Sequence, residues 1–392
     1  MPSSSFKRLL FLIGGLLLCI AAQVPLFING NFFSAQSAQL KLVTNQTHTP
    51  STASTSTTAL AVSPTPSSPR YQRPNFETGV VFPQWTQDAY GPADTKWQQG
   101  LSEIQTQTGA RWIEMTILFS QPSETSTQVT LSTSAPTIEA FAAGISAARA
   151  LGYHVFVVPL FGVDSPPGAW AATIHFSAYQ QEVQWFDSYW QAFQPYIQVA
   201  AQSGADQVSI GTELQWLEQS APASLWNTLV ARVRGIFPGM ITYDMNWTSL
   251  SSPPTTWMNN RDLAMIGVSE YMPLVDVRVR VEPKDMFALW KVKVKAILDK
   301  MATQLGKPIL ISEIGYRNSA DTLYNPWYPT STTSPPDPEE QAAACDAALA
   351  NVFHDPLIGG IFFWGWDDVI GFKLSGQPAV KVLHTWFTSP QS

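Results

Sequence analysis

Eight short apolar runs, each followed by a helix-length stretch, recur along residues 79–387 and limit the fold more than any other feature of the chain. The runs span 79–85, 112–119, 154–161, 206–214, 240–247, 262–271, 307–313 and 358–366, and they are rich in Val, Ile and aromatic residues. Strands that are apolar at consecutive positions are buried on both faces, as in a parallel sheet covered by helices. Between them, Gly109, Gly152, Gly204 and Gly306 follow helix-length segments where a left-handed C-cap is needed. Ser224 stands where an N-cap oxygen is expected. Eight strand–helix units in one chain are the count of a single α/β barrel, the (β/α)8 TIM barrel. An open doubly wound sheet is the competing arrangement, but no glycine-rich phosphate fingerprint follows the first strand.

The barrel pattern does not fill all 392 residues. Residues 1–28 carry Lys7 and Arg8 ahead of an apolar run, the layout of a cleaved signal peptide or a short membrane anchor. Residues 29–74 lead into a Ser/Thr/Pro stretch too poor in apolar surface to fold, which is expected to be a disordered linker. That leaves 75–389 as the catalytic domain, secreted or tethered at the cell surface and expected to act as a monomer. With 13% charged residues, a net charge of −7 and no basic cluster beyond residue 8, nucleic acid is excluded as a partner. The scattered histidines form no metal motif, and no cofactor is expected. Cys345 is the one cysteine left if the first segment is removed, which rules out an internal disulfide. Fifteen Trp in a charge-poor exported domain fit a carbohydrate partner, although many of those rings must fill core.

In a barrel of this kind the chemistry lies at the C-terminal ends of the strands. Asp206 and Asp262 fall at strand starts, and Glu114 is early in its strand, a candidate for the barrel interior. Glu213, Asp244, Glu270, Glu313, Asp367 and Asp368 fall at or near the functional face. A carboxylate released at the end of a buried strand is costly unless it is bonded or used. Either Glu213 or Glu313 alone reads equally well as a loop cap. Both follow the same grammar, an apolar run, a sharp stop and a glutamate, on strands four and seven, which face each other across the mouth. Two such carboxylates suit hydrolysis of a glycosidic bond, one protonating the leaving oxygen and the other attacking the anomeric carbon. Glu270 is a rival. Its neighbour Tyr271 points the opposite way in a regular strand, so only one of the two faces the site.

The segments Ile-Gly-Thr-Glu-Leu214, Ile-Gly-Val-Ser-Glu-Tyr-Met-Pro-Leu274 and Lys-Pro-Ile-Leu-Ile-Ser-Glu-Ile-Gly-Tyr-Arg317 resemble glycoside hydrolase family 113, a β-mannanase-type family of the retaining barrel clan. The resemblance implies Glu213 as acid/base, Glu313 as nucleophile, Tyr271 as hydrogen-bond donor to the nucleophile, and Trp364 and Trp366 as the floor of the sugar site. It implies a polysaccharide or oligosaccharide substrate, β-1,4-mannan first, cut in an endo fashion. The clan usually places Asn before the acid/base to contact the sugar 2-hydroxyl. Here that position is Thr212, which leaves the 2-hydroxyl contact unassigned. Trp85, Asp164, Trp170, Trp247 and Tyr316 lie on mouth loops and complete the candidate sugar contacts, as Trp216, Trp327 and Tyr328 could also do. Each of these aromatics reads as readily as loop packing, whereas Trp112, Trp226 and Trp290 sit in patterned elements and belong to core. Arg317 either binds a sugar hydroxyl or pairs with a nearby acid. Two other readings stay open: a barrel that binds polysaccharide without cutting it, and a metal-dependent hydrolase.

Overall fold

The computed structural model describes residues 76–166, 169–328, 334–367 and 371–390. Residues 1–28 and 29–74, and Asp368 among the strand-end acids, lie outside the described residues. Among the described residues no helix is long and apolar enough to cross a membrane.

Eight parallel strands close into a barrel. They are β1 (Glu77–Val81), β2 (Trp112–Gln121), β3 (His154–Val163), β4 (Gln207–Thr212), β5 (Met240–Asn246), β6 (Ile266–Glu270), β7 (Ile309–Ile314) and β8 (Ile358–Trp364). Closure is made by β1, which pairs in parallel with β2 (Gly79 opposite Trp112) and with β8 (Thr78 opposite Ile361). A two-residue strand, Thr130–Leu131, adds an antiparallel flap to the end of β2. Helices α1 (Thr95–Thr108), α2 (Ile138–Ala150), α3 (Tyr179–Ser203), α4 (Gln215–Ser220), α5 (Ala223–Arg234), α6 (Pro283–Trp290), α7 (Ala296–Leu305), α8 (Pro338–Val352) and α9 (Ala379–Phe387) surround it. A π-turn over Lys291–Lys295 joins α6 to α7 without a break in the helical chain.

The stop signals work as the sequence predicts at Gly109 (φ 70°), Gly204 (φ 82°) and Gly306 (φ 61°), where the missing Cβ admits the left-handed cap. Thr137 caps α2 through the Ala140 amide at 3.2 Å. Ser224 does not cap α5. That helix begins one residue earlier, behind Pro222, so Ser224 is already inside its first turn. The short helix α4, directly after Glu213, has no counterpart in the sequence reading because six residues are too few to show a period.

Two apolar layers divide the tryptophans. Between barrel and helices lie Trp97, Trp185, Trp226, Trp257, Trp290 and Trp366, all fully buried, with Trp226 and Trp257 stacked at 4.4 Å. Inside the barrel, strand period 2 sorts the side chains. Trp112, Phe156, Met240, Met265 and Phe362 close the end where the strands begin, and Tyr271 and Trp364 belong to the same inner cluster nearer the mouth. Between them the interior turns polar, with Glu114, Thr242, Asp244, Ser269 and Ser312 all buried. Barrel interiors are usually filled by branched apolar side chains. A polar middle layer is therefore the part of this core that hydrogen bonds must hold together.

Candidate active site

Glu213 follows β4 with φ at +55°, a left-handed backbone that a glutamate adopts only when its surroundings impose it. Its amide donates to the Asp244 carbonyl at 2.8 Å, tying the turn to β5. The carboxyl is held on both sides: the Trp170 indole N–H donates to Oε2 at 2.7 Å and the Asn246 carboxamide donates to Oε1 at 2.7 Å. Burial pushes the Glu213 carboxyl above the ordinary carboxylate range, while the bonds from Asn246 and Trp170 and the nearby Ser269 hydroxyl work against it.

Glu313 reaches the mouth differently. Leu310 and Ser312 point into the barrel, so strict alternation would send Glu313 outward. The β7 register shifts between Ile311 and Ile314 against β8 and between Gly267 and Ser269 against β6, which re-aims the side chain. The Tyr271 hydroxyl then donates to Glu313 Oε1. Tyr271 itself is buried in the inner cluster, its ring edge-on to Phe372 at 6.1 Å. Glu270 takes the other face of β6, is buried, and accepts the Met272 amide at 2.9 Å, away from this pair.

Beneath the two glutamates lie Glu114 and Asp244. Burial, then the neighbouring charges of Glu313 and Asp244, hold the Glu114 carboxyl well above its ordinary range. Burial raises Asp244 to about 7 against the hydroxyls of Ser209, Ser312 and Thr242. The hidden acids Glu218 and Glu270 are each pushed up by burial to about 8. All of these bind a proton more tightly folded than unfolded. Between the ordinary carboxylate range and about 8, therefore, folding takes up protons and stability falls as pH rises. Thermal melts should give a Tm lower by roughly 5 °C or more at about pH 8 than at about pH 5. A Tm that rises over that window would mean these acids are ionised in the folded protein.

The other candidate residues divide clearly. Trp247 stacks on Trp327 at 5.4 Å, and half-buried Trp85, Trp247 and Tyr328 each pack against the inner cluster. Trp364 belongs to that inner cluster, whereas Trp366 turns outward into the layer between barrel and helices and is not brought to the floor of the site. Two residues apart, the rings would share a face of a continuous strand, but β8 ends at Trp364 and Trp366 lies beyond it. Tyr316 is not brought to the mouth either: its buried hydroxyl accepts the Trp290 indole N–H at 2.9 Å. Asp164 is exposed and accepts the Ser120 hydroxyl at 2.9 Å, apart from both glutamates. Thr212 is buried, and its hydroxyl has no protein partner among the described residues. Arg317 is buried and pairs with Asp321 at 3.4 Å, the ion-pair alternative. Asn246 and Phe372 were not foreseen. Asn246 shares the inward face of β5 with Asp244 two residues earlier, and that period was the signal available for it.

Residues 84–377 match the profile of Glycoside Hydrolase Family 113. Among solved structures, the GH113 β-mannanase of Alicyclobacillus acidocaldarius superposes with a TM-score of 0.69 at 20% identity, over 82% of this chain and 99% of that one. A GH113 β-1,4-mannanase gives a TM-score of 0.67 at 20% identity, over 81% of this chain and 100% of that one. A β-D-glucuronidase of Dictyoglomus thermophilum shares the barrel more distantly, with a TM-score of 0.53 at 12% identity over 82% of this chain and 52% of that one. No curated protein matches by sequence. At these identities the structural likeness shows the fold, and the profile match, which runs from just after β1 to just before α9, shows the lineage. The chain belongs to Glycoside Hydrolase Family 113 and is a glycoside hydrolase.

Proposed function

We propose that the protein is a retaining endo-β-glycosidase, with β-1,4-mannan as its substrate, working by two-glutamate double displacement. The observation that carries this reading is that the two mouth carboxyls are supported by different chemistry. Glu313 accepts the Tyr271 phenol, and partly buried Glu213 accepts the Trp170 and Asn246 N–H donors. Such a difference is what an acid and a nucleophile working at the same pH require. Glu313 attacks the anomeric carbon, and the Glu213 proton passes to the leaving oxygen. Glu213, now ionised, takes a proton from water as that water breaks the glycosyl–Glu313 bond. The Trp247–Trp327 wall offers flat faces on which pyranose rings can pack. Mannan follows from the β-mannanases of the same family named above, and the same machinery on another β-glycan is the alternative. Export through residues 1–28 and spacing through 29–74 complete the proposal, placing the enzyme where polysaccharide is met.

A hydrolysis panel of mannan, glucomannan, xylan, cellulose and galactan, read by reducing ends and by proton NMR of the first anomer formed, tests it. Mannan and glucomannan are expected to be cut, with the β-anomer appearing first. Binding with no release of reducing sugar, or the α-anomer appearing first, would overturn the reading.

A further inference from the structure

We infer that Trp170 and Asn246 are positioning residues that clamp the acid/base carboxyl from two separate elements, so that Trp170 acts through Glu213 rather than on the sugar. The inference rests on the acid/base reading of Glu213 above.

The geometry is specific at each end. Asn246 Oδ1 accepts both the Thr248 amide at 2.9 Å and the Thr248 hydroxyl at 2.7 Å. The carboxamide therefore cannot be flipped without facing its NH2 to the Thr248 amide, and its N–H is the edge that meets Glu213. Trp170 is buried and leads into the turn Ala171–Thr173. Its carbonyl accepts the Thr173 amide at 2.9 Å and the Thr173 hydroxyl at 2.6 Å. The next residues bind that loop to the helix after Glu213, with the His175 ring edge-on to Trp216 at 5.9 Å. An indole N–H can only donate. Its bond is therefore strongest when Glu213 is a carboxylate, the state left after the proton has been given to the leaving group. With one donor on each oxygen the carboxyl cannot rotate. The lone pairs left over are those that must face the substrate.

Burial raises the Glu213 carboxyl most, and these donors are what opposes it. Asp244 on β5 is the acid close enough to feel the charge of Glu213. Asp164 on the β3 loop is turned to Ser120, Glu218 on α4 to Tyr243, Glu270 on β6 to the Met272 amide, and Glu313 across the mouth is held by Tyr271. His175 faces the Thr173 carbonyl.

The test is the pH profile of kcat/KM on a manno-oligosaccharide for the wild type, Trp170→Phe and Asn246→Ala. Trp170→Phe keeps most of the ring and removes the donor, and Asn246→Ala removes the opposite donor should the first variant fold poorly. Losing a donor to the charged form moves the basic limb upward, by roughly half a pH unit or more, with kcat lowered and KM within about twofold. A basic limb that stays in place in both variants overturns the inference, as does a Trp170→Phe enzyme whose KM rises at unchanged kcat. Glu213→Ala separates the two levels. If it loses mannan hydrolysis but cleaves activated aryl glycosides while the limbs do not move, the clamp alone is wrong. If it hydrolyses mannan normally, the acid/base reading fails with it.

Discussion

Glu313→Ala is expected to abolish hydrolysis of natural and activated β-glycosides alike, by about 10³-fold or more, whereas Glu213→Ala loses only the substrates that need a proton. The difference follows from what each carboxyl supplies in the proposed double displacement. Without Glu313 there is no group to form the glycosyl–enzyme bond, and a better leaving group does not replace it. Without Glu213 the leaving oxygen must depart unprotonated, which an alkoxide of a sugar cannot do and a nitrophenolate can. The second step then lacks a base, so the glycosyl–enzyme accumulates. A small anion such as azide needs no base, and it should speed turnover of Glu213→Ala and yield a product of retained configuration. Product analysis of both variants on mannan and on an aryl β-mannoside, with and without azide, reads all of this at once. An active, retaining Glu313→Ala enzyme would move the nucleophile elsewhere, and Glu270 on the neighbouring strand is the group to test next. Its position against the Met272 amide argues against that outcome.

Much of this arrangement is legible in the sequence, and the parts that are not have physical reasons. The alternation of doubly buried strands with helices closed by Gly109, Gly204 and Gly306 is enough for the barrel, because each signal is local and repeated. Period 2 separates Tyr271 from Glu270 and puts only the tyrosine in the site. The same rule puts Trp364 and Trp366 on one face, in agreement with the family resemblance, but β8 ends at Trp364 and only that ring joins the inner cluster. Tyr316 was read from its place beside Glu313, but two residues beyond the end of β7 its direction is set by the Trp290 indole, a contact 26 residues away. Asn246 is not legible in the same way, because a neutral amide carries no charge penalty to betray its burial. The register shifts that aim Glu313, and the left-handed turn at Glu213, belong to the pairing of three strands and have no local signature.

The polar middle of the barrel leads to the second large expected effect, at Gly267. This residue lies on β6 opposite Asp244 of β5 and Leu310 of β7. A Cβ placed there would stand 1.8 Å from Asp244 Oδ1, 2.7 Å from its Cγ and 2.8 Å from Ser312 Oγ. The Asp244 side chain is short and buried, and its Oδ1, which accepts the Thr242 hydroxyl at 3.5 Å, is the atom that would have to move. Gly267→Ala must therefore either displace a buried carboxyl from its partners or spread two barrel strands. Overpacking and a stranded polar group together are expected to cost about 2–4 kcal/mol, read as a Tm lower by roughly 5 °C or more. The loss should reach the chemistry, because the Asp244 carbonyl accepts the Glu213 amide at 2.8 Å and a shifted β5 carries Glu213, the proposed acid/base, with it. Activity of Gly267→Ala should then fall even at temperatures where it is fully folded. The clash is with one side chain, so removing that side chain should relieve it. Asp244→Ala combined with Gly267→Ala is expected to be more stable than Gly267→Ala alone, a coupling that independent sites do not show. If the two losses simply add, the carboxyl of Asp244 does not occupy the space that Gly267 leaves open.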